Sequence, residues 1–336
     1  MKAVVINGPG KLEIVEKPKP RPGPGEILVK VEYCGICGSD LHAFHTGFLQ
    51  PDLTIGHEFA GIVSEVGPGC SSWSPGERVT GNNIIICGSC SFCLNEIENQ
   101  CLNMCRLGIT GQGTLAEYIL IPARNLYKLP DHTPLEQAAL AEPLSVGLHA
   151  INKVKTDSAK NALIIGTGTI GLIVLSLLKM LGIENILVIE PNPDRAAIAK
   201  TMGATTLIDP GQGNPDAVVK QLTGGHGAAL AFECAGLPAT IQEACNLAAA
   251  GSAVTVLSIC YQPVELNFLS LVTREIEIKT AFGKTGAEFK EAVRLIGTGS
   301  VDLTPLISRI IPLSSIEDGF TTSTQANIKT LVDLNN

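Results

Sequence analysis

The stretch 161–190 constrains the fold of this chain more than any other part of the sequence. It opens with a short apolar run that predicts a buried strand, and the glycine-rich turn 166–171 (GTGTIG) follows directly. A mostly apolar segment that predicts a helix comes next, and a second apolar run ends at Glu190. Strand, glycine turn, helix, strand and terminal acid in this order predict a βαβ unit that binds a dinucleotide within a doubly wound parallel sheet.

Each glycine of the turn has its own physical reason. Gly166 allows the tight turn, Gly168 lets the backbone approach a pyrophosphate, and Gly171 lets the helix pack closely on the strand. The N-terminus of the helix offers N–H groups and the positive end of a dipole to phosphates. The candidate coenzyme contacts in the turn are Gly166, Gly168, Thr169, Ile170 and Gly171.

Glu190 lies 19 residues after Gly171, where a carboxylate can accept hydrogen bonds from both hydroxyls of a ribose. An acid at this position repels a 2′-phosphate, so NAD is favoured over NADP. A membrane helix is the alternative interpretation of the apolar stretch 162–178, which carries no charge. The three glycines oppose that alternative, as do apolar segments too short to span a bilayer.

Composition excludes several classes of protein. A length of 336 residues suggests two domains, and 45% hydrophobic residues fit an α/β globular protein. The net charge of −8 offers no basic stripe to neutralise phosphates, so neither nucleic acid nor a membrane is an expected partner. The N-terminal stretch lacks the apolar core of a signal peptide, which makes the cytoplasm the expected location. Eleven cysteines in such a chain favour metal ligation over disulfides.

Four closely spaced cysteines predict a structural metal site. Two, two and seven residues separate them, and four thiolates within 15 residues can close a tetrahedral shell around one zinc ion. Four unrelated buried cysteines are the alternative. A DNA-binding zinc module is disfavoured, because the segment 82–103 contains no lysine or arginine. The predicted structural ligands are Cys87, Cys90, Cys93 and Cys101.

A second set of metal-ligating residue types precedes this lobe. Cys37 forms a Cys-x-x-Cys pair with Cys34, and His57 and Glu58 follow in the sequence Gly-His-Glu. A thiolate, an imidazole and a carboxylate can hold zinc and leave one position open for water or substrate, which is the catalytic arrangement. A redox dithiol and an ordinary His-Glu pair on the surface are the alternatives.

Taken together, the motifs resemble those of the zinc-containing medium-chain alcohol dehydrogenases, in the branch of the polyol, butanediol and threonine dehydrogenases. The resemblance covers essentially the whole chain. The segments that carry it are GEILVKVEYCGICGSDLH (25–42), GHEFAG (56–61), the four-cysteine lobe, GQGTLAEY (111–118), AEPLSVGLHA (141–150) and the GTGTIG turn.

This resemblance implies an α/β protein in which a Rossmann domain is inserted into a GroES-like, β-rich catalytic domain. The catalytic domain would comprise residues 1–148 and 283–336, with the structural zinc lobe at 82–105. The NAD-binding Rossmann domain would comprise residues 149–282. Two zinc ions and one NAD per chain are the implied cofactors, and a homotetramer or homodimer is the implied assembly.

The resemblance also assigns roles to individual residues. Glu142 matches a carboxylate that ligates the catalytic zinc directly or through water, and Asp40 would orient the imidazole of His57. Ser39 and His42 match a proton relay, and the segment 40–56 is expected to be a short loop. The catalytic residues are then Cys37, Ser39, His42, His57, Glu58 and Glu142, of which Cys37, His57, Glu58 and Glu142 face the metal. Further coenzyme contacts would be Asn192, Arg195, Leu257, Ser258, Ile259, Ala281 and Phe282, and Arg195 leaves NADP open.

The implied reaction moves hydride from a secondary alcohol or polyol (a sugar alcohol, vicinal diol or cyclitol) to NAD and gives a ketone. The sequence Glu-Pro-Leu-Ser at 142–145 is typical of the sorbitol and butanediol type. Threonine enzymes carry a histidine where this chain has Ile84, and a polyol phosphate needs a basic anchor, for which Arg106 is the candidate. A threonine dehydrogenase and a polyol-phosphate dehydrogenase are therefore alternatives. A zinc-free reductase and a non-catalytic protein of the same fold are disfavoured by the complete ligand set.

Overall fold

The computed structural model describes residues 1–157, 159–321 and 327–335. The chain forms two compact units. The first unit is Met1–Ser145 with Lys284–Asn336, and the second unit is Val146–Gly283. The boundaries expected from the sequence, after residues 148 and 282, lie close to these junctions.

The secondary structure alternates between strands and helices most regularly in the second unit. The strands are β1 (Lys2–Ile6), β2 (Leu12–Glu16), β3 (Glu26–Gly35), β4 (Glu58–Val66), β5 (Arg78–Gly81), β6 (Ile84–Ile85), β7 (Cys105–Arg106), β8 (Tyr118–Pro122), β9 (Leu126–Lys128), β10 (Asn161–Ile165), β11 (Asn185–Ile189), β12 (Thr206–Ile208), β13 (Ala228–Glu233), β14 (Ala248–Val256), β15 (Glu277–Thr280), β16 (Ile307–Pro312) and β17 (Lys329–Asp333). The helices are α1 (Gly38–Thr46), α2 (Ser91–Leu94), α3 (Leu135–Ala138), α4 (Ala141–Ile151), α5 (Thr169–Met180), α6 (Pro193–Met202), α7 (Pro215–Leu222), α8 (Pro238–Leu247), α9 (Phe268–Thr273), α10 (Gly286–Gly297) and α11 (Ile316–Thr321).

The first unit is built on a mostly antiparallel sheet. Its strand order is β16-β17-β3-β4-β5-β9, and β8 also pairs with β3. The hairpin β1-β2 and the short pair β6-β7 form separate ladders. Strand β3 is the centre of this sheet, because β17, β4 and β8 all pair with it in antiparallel register. Because Gly35 at the C-terminal end of β3 pairs with Glu58 at the start of β4, the segment that carries Cys37 lies beside the segment that carries His57 and Glu58.

The second unit is built on a parallel sheet of six strands. Its order is β12-β11-β10-β13-β14-β15, and each neighbouring pair is parallel. The chain runs outward from β10 through β11 to β12, then returns to β13 beside β10, so the order reverses between β10 and β13. Open α/β sheets bind ligands outside the carboxyl ends of their strands at such a switch point. The predicted doubly wound Rossmann sheet is confirmed.

Each unit has its own hydrophobic core. In the first unit, residues such as Phe59, Leu115 and Val332 belong to one buried cluster. In the second unit, Leu163, Ile189 and others belong to another, where near-continuous apolar strands are covered on both faces as parallel strands require. Within the described ranges, no helix is both long and apolar enough to cross a membrane.

The predicted loop over residues 40–56 is wrong in its first part, because helix α1 begins at Gly38. The Asp40 side chain accepts a hydrogen bond from the Cys37 N–H at 2.9 Å and so completes the helix start. Gly47 ends the helix with a φ of 65°, a left-handed conformation that glycine adopts without strain. The segment that carries Cys37 is therefore both a predicted ligand motif and the start of a helix.

Candidate zinc and coenzyme sites

The first unit brings three of the predicted catalytic ligands together. Ligand atoms of Cys37, His57 and Glu58 all lie within 4.8 Å of one another. Cys37 stands at the start of α1, and the other two stand at the start of β4, the strand that pairs with β3. A soft thiolate, an imidazole and a carboxylate at this spacing fit a zinc ion with one coordination position left open. The residues present therefore fit the metal that the sequence predicts.

Asp40 lies close to the His57 imidazole. Its Oδ1 is 3.7 Å from His57 Nδ1, too far for a direct hydrogen bond, and Nδ1 has no hydrogen-bond partner among the described residues, so the orienting role of Asp40 stays a prediction. Both side chains are buried. Burial disfavours the imidazolium, but the charges of Asp40 and Cys37 outweigh it and raise the pKa of His57 to about 10. In the absence of metal this histidine is therefore protonated at neutral pH, and a bound metal takes the place of that proton.

Glu58 is held by a buried lysine that the sequence analysis missed. Lys329 Nζ donates to Glu58 Oε1 at 2.7 Å and to the Ile36 carbonyl at 2.9 Å. Burial lowers the pKa of Lys329, but the charge of Glu58 outweighs it and the pKa is raised. Glu58 Oε2 is buried and has no hydrogen-bond partner, so it can serve as a metal ligand. A Cβ at Gly35 would come within 2.1 Å of this oxygen, which explains the glycine at the end of β3.

Glu142 lies outside the three-residue cluster and binds a second buried lysine. Lys284 Nζ donates to Glu142 Oε1 and, at 2.5 Å, to Asn83 Oδ1. Burial raises the pKa of Glu142, but the charges of Lys284 and His57 outweigh it and lower the pKa below its usual value. The carboxylate is thus ionised and near His57, while its direct ligation of zinc stays a prediction.

The proposed proton relay lies on α1. Ser39 and His42 are three residues apart, which places them on the same face of a helix. Both are partly buried, and the His42 ring lies 5.7 Å from the Phe48 ring. Their position directly after Cys37 fits a relay between the metal site and solvent, and this role remains a prediction.

The four-cysteine lobe has the geometry of a closed zinc site. Its four sulfur atoms lie within 4.8 Å of one another. The Cys90–Cys93 and Cys87–Cys101 sulfur distances are both 3.5 Å, and the Cys87–Cys93 distance is 3.9 Å. A tetrahedron with Zn–S bonds of about 2.3 Å has edges of about 3.8 Å. Backbone N–H groups of Ser89 and Cys90 lower the pKa of Cys87 to about 5, which favours its thiolate, whereas burial and the neighbouring cysteines raise the pKa of Cys93 to about 12.

The glycine turn of the second unit has the shape that a pyrophosphate site needs. Gly166 has a φ of 87°, which only glycine adopts readily. A Cβ at Gly171 would come within 1.9 Å of the Gly166 carbonyl oxygen, so helix α5 can approach β10 only with glycine there. A Cβ at Gly168 would meet no atom within 4 Å, and this open space is where a phosphate would approach the backbone. The turn therefore fits the coenzyme.

Glu190, the residue predicted to bind the ribose, braces this turn. Its Oε2 accepts hydrogen bonds from the Thr167 N–H at 2.8 Å and the Thr167 hydroxyl at 2.9 Å. Its Oε1 accepts one from the Asn192 N–H at 2.9 Å. Because a carboxylate has about four lone-pair positions, room remains for about one further donor. The sequence analysis expected two ribose hydroxyls to bind here, and the second would have to displace a present partner.

The remaining predicted coenzyme residues follow the strands and helices of the same unit. Asn192 caps α6 by accepting hydrogen bonds from the Asp194 and Arg195 N–H groups. Leu257 and Ala281 are buried, whereas Ile259 and Phe282 are exposed. Ser258 donates a hydrogen bond to Glu233, a buried acid that the sequence analysis did not single out. Roles of these residues toward NAD remain predictions.

Comparisons with known proteins place this chain in a family. Residues 23–131 match the model of the alcohol dehydrogenase GroES-like domain, and residues 169–298 match that of the zinc-binding dehydrogenase. The chain is 34% identical to an L-threonine 3-dehydrogenase of Bacillus velezensis, over 95% of this chain and 94% of that protein. It belongs to the zinc-dependent medium-chain alcohol dehydrogenase family. Membership confirms the predicted GroES-like and Rossmann folds and the zinc-dependent oxidoreductase class.

Solved structures of family members agree with this placement. A zinc-binding dehydrogenase from Sinorhizobium meliloti 1021, solved with NADP bound, has a TM-score of 0.93 and 31% identity over 99% of both chains. The 2R,3R-butanediol dehydrogenase from Bacillus subtilis has a TM-score of 0.92 and 30% identity, again over 99% of both chains. The family protein described here is thus a zinc-dependent alcohol or polyol dehydrogenase that uses a nicotinamide coenzyme.

Proposed function

We propose that this dehydrogenase oxidises a secondary hydroxyl of a neutral polyol, such as a vicinal diol, sugar alcohol or cyclitol, to a ketone with NAD. The proposal rests on two buried ion pairs, in each of which a lysine is bound to a glutamate. Lys284 is bound to Glu142 and Lys329 to Glu58, so neither ammonium is left to neutralise an acidic substrate. A substrate with several hydroxyl groups can instead exchange hydrogen bonds with such polar groups without adding charge.

The residues of the first unit divide the chemical work. Zinc held by Cys37, His57 and Glu58 would supply the Lewis acidity that polarises the substrate hydroxyl. We assign to Asp40 the orientation of the His57 ring, whose Nδ1 lies 3.7 Å from the Asp40 carboxylate. We assign the proton relay to Ser39 and His42. The Ser39 hydroxyl oxygen accepts the proton of the substrate hydroxyl as its own proton passes on, and the His42 imidazole releases a proton to water.

NAD is proposed over NADP because Glu190 is an acid at the end of β11. Its carboxylate is buried and accepts three hydrogen bonds from backbone and hydroxyl donors, which fix it beyond the end of that strand. A 2′-phosphate there would meet negative charge. The Sinorhizobium relative was solved with NADP, so both coenzymes belong in the test.

Threonine is the second candidate substrate, and the Bacillus velezensis relative supports it. Its carboxylate and ammonium groups would need partners of opposite charge in the site. A polyol phosphate makes the same demand for a cation. Lys284 and Lys329 already pair with carboxylates, which leaves Arg106 as the candidate cation for either alternative, and for this reason the neutral polyol is favoured.

The test is NADH formation at 340 nm by zinc-loaded protein with 2,3-butanediol stereoisomers, sorbitol, galactitol, myo-inositol, galactitol 1-phosphate and L-threonine. NAD and NADP are compared for each substrate. Turnover of a neutral polyol, with kcat/KM at least about tenfold above that for threonine and the phosphate, is the expected result. A preference for threonine or the phosphate would contradict the proposal.

The chain offers a matched control for the role of the metal. Cys37→Ser removes a predicted ligand and is expected to abolish turnover. Cys34→Ser alters the other cysteine of the same pair, which is buried beside Thr114 with a sulfur–oxygen distance of 3.2 Å. Activity of this variant is expected to stay within about threefold of wild type. Equal loss in both variants would argue for a structural rather than a catalytic role of Cys37.

We further propose that the protein is a homodimer or homotetramer. Strand β15 is an edge of the parallel sheet, and its Ile278 is exposed. The adjacent helix α9 exposes Phe268, Leu269 and Val272. An open strand edge beside exposed apolar side chains is suited to pairing with a second copy. Light scattering after size exclusion measures the assembly, and a monomer at micromolar concentration would contradict it.

A further inference from the structure

Glu233 is a buried acid in the second unit that the proposed function does not use. It ends strand β13 and is fully shielded from solvent. An isolated buried carboxylate is costly, so a protein retains one only where several hydrogen bonds stabilise it. Its partners therefore indicate what it holds in place.

The Glu233 carboxylate joins two loops. Oε1 accepts hydrogen bonds from the Ala235 and Gly236 N–H groups, both at 2.8 Å, and the Thr240 hydroxyl lies at the same distance. Oε2 accepts a hydrogen bond from the Ser258 hydroxyl. The first three partners follow β13, whereas Ser258 follows β14. A single side chain thus fixes the loops beyond two neighbouring strands.

These loops stand at the switch point of the sheet. Glu233 is paired in register with Ile165, the last residue of β10 before the glycine turn. The Cys234 N–H donates to the Ile165 carbonyl at 2.9 Å, and a Cβ at Gly166 would lie 2.9 Å from the Ala235 Cβ. The loop after β13 therefore packs directly on the turn that fits the pyrophosphate. Glu190, at the end of β11, lies on the adenosine side, which leaves the Glu233 side for the nicotinamide.

The carboxylate brings a negative charge to this place. Two of its partners are backbone N–H groups, which can only donate, and both hydroxyl partners can donate as well, so the group can be held as an anion with both oxygens accepting. All four partners are dipoles rather than cations, and the charge is stabilised without being cancelled. The nicotinamide ring is positively charged in NAD and neutral in NADH. In a partly desolvated site, an anion near the ring therefore favours the oxidised coenzyme.

We propose that Glu233 is a positioning residue that shapes the nicotinamide half of the coenzyme site, and that its charge favours NAD over NADH. The inference rests on the coenzyme dependence of the proposed function. It adds a charge effect that favours binding of NAD, the coenzyme form that oxidises the alcohol. The loops held by Glu233 would position the nicotinamide ring. The negative charge of Glu233 would strengthen the binding of NAD relative to that of NADH.

Dissociation constants of the binary complexes test this proposal without any catalytic readout. Isothermal titration of full-length, zinc-loaded protein compares NAD, NADH and ADP-ribose, which lacks the nicotinamide. Glu233→Gln keeps the shape and an acceptor oxygen but removes the charge. We expect this variant to weaken the binding of NAD relative to that of NADH by about tenfold, as loss of a nearby unit charge predicts. The dissociation constant of ADP-ribose should stay within about twofold of the wild-type value. Thr240→Val removes one partner but keeps the charge, and its NAD/NADH ratio should match wild type.

A second variant tests the charge without touching the buried carboxylate. Leu237 lies in the same loop and is 57% exposed, so Leu237→Lys adds a positive charge at a site that tolerates it. This variant should also weaken NAD relative to NADH, by a smaller factor than Glu233→Gln. An unchanged ratio in both variants, or equal weakening of all three ligands, would overturn the inference. A wild-type protein that binds none of the three would overturn the coenzyme-dependent function as well.

Discussion

Lys284 is a residue on which both stability and the site depend. Its side chain is 1% exposed and its ammonium group is bound to Glu142 and Asn83, so its removal leaves a buried carboxylate without a cation. Breaking such a pair typically costs about 3–5 kcal/mol. We expect Lys284→Met to lower the free energy of unfolding at pH 7 by about 3 kcal/mol, as measured by urea denaturation. Adding Glu142→Gln should restore part of the loss, because the unpaired charge is then gone.

The pH dependence of this effect follows from the lowered pKa of Glu142. A carboxyl whose pKa is lower in the folded state adds stability above its unfolded pKa of about 4.3, and that stability disappears as the pH falls through the folded value. The difference between wild type and Lys284→Met should therefore shrink on acidification. Lys290→Met, an exposed lysine of α10, is the control and should change stability by less than about 0.5 kcal/mol. A similar loss in both variants would contradict the role of the pair.

The buried lysines also show what a sequence alone cannot supply. Lys329 and Glu58 are 271 residues apart in the chain, and Lys284 and Glu142 are 142 apart. A single lysine beside a strand or helix usually points to solvent, so nothing local marks either one as buried. The sequence points to Arg106 as a basic residue near the site only because Arg106 follows the four-cysteine lobe closely in the chain. Contacts between elements that are distant in the sequence decide these pairs: β17 with β4 for Lys329, and the segment before α10 with helix α4 for Lys284.

Among the elements, those with strong local patterns were predicted well. The β10-α5-β11 unit was predicted because its apolar runs, glycines and terminal acid all lie within 30 residues, and 161–190 folds as expected. The four-cysteine lobe was predicted from spacing alone, and the structure brings its sulfur atoms together. Helix α1 was overlooked because its sequence, GSDLHAFHT, has only a weak apolar stripe. The hydrogen bond of Asp40, rather than periodicity, starts that helix.

The lobe as an element offers a test of its own. Cys101→Ser removes one of four clustered thiols, whereas Cys105, four residues later, lies in β7 and outside the cluster. We expect Cys101→Ser to bind one zinc per chain instead of two and to expose the segment 82–105 to limited proteolysis, since structural zinc supplies folding energy. Zinc analysis by mass spectrometry measures the first effect. Cys105→Ser should retain two zinc ions, and a loss in both variants would contradict the assignment of ligands.

At the scale of the whole molecule, zinc binding and coenzyme binding are assigned to two units, each of which has its own hydrophobic core. The predicted zinc ligands lie in the first unit, whereas the glycine turn, Glu190 and Glu233 lie in the second, which has a hydrophobic core of its own. Removal of zinc with a chelator should therefore reduce alcohol oxidation below about 1% of its initial rate, because the hydroxyl is no longer polarised. NADH fluorescence titration should still give a dissociation constant within about threefold of the zinc-loaded value. Restored zinc should return activity, whereas loss of NADH binding along with the metal would show that the coenzyme site depends on the first unit.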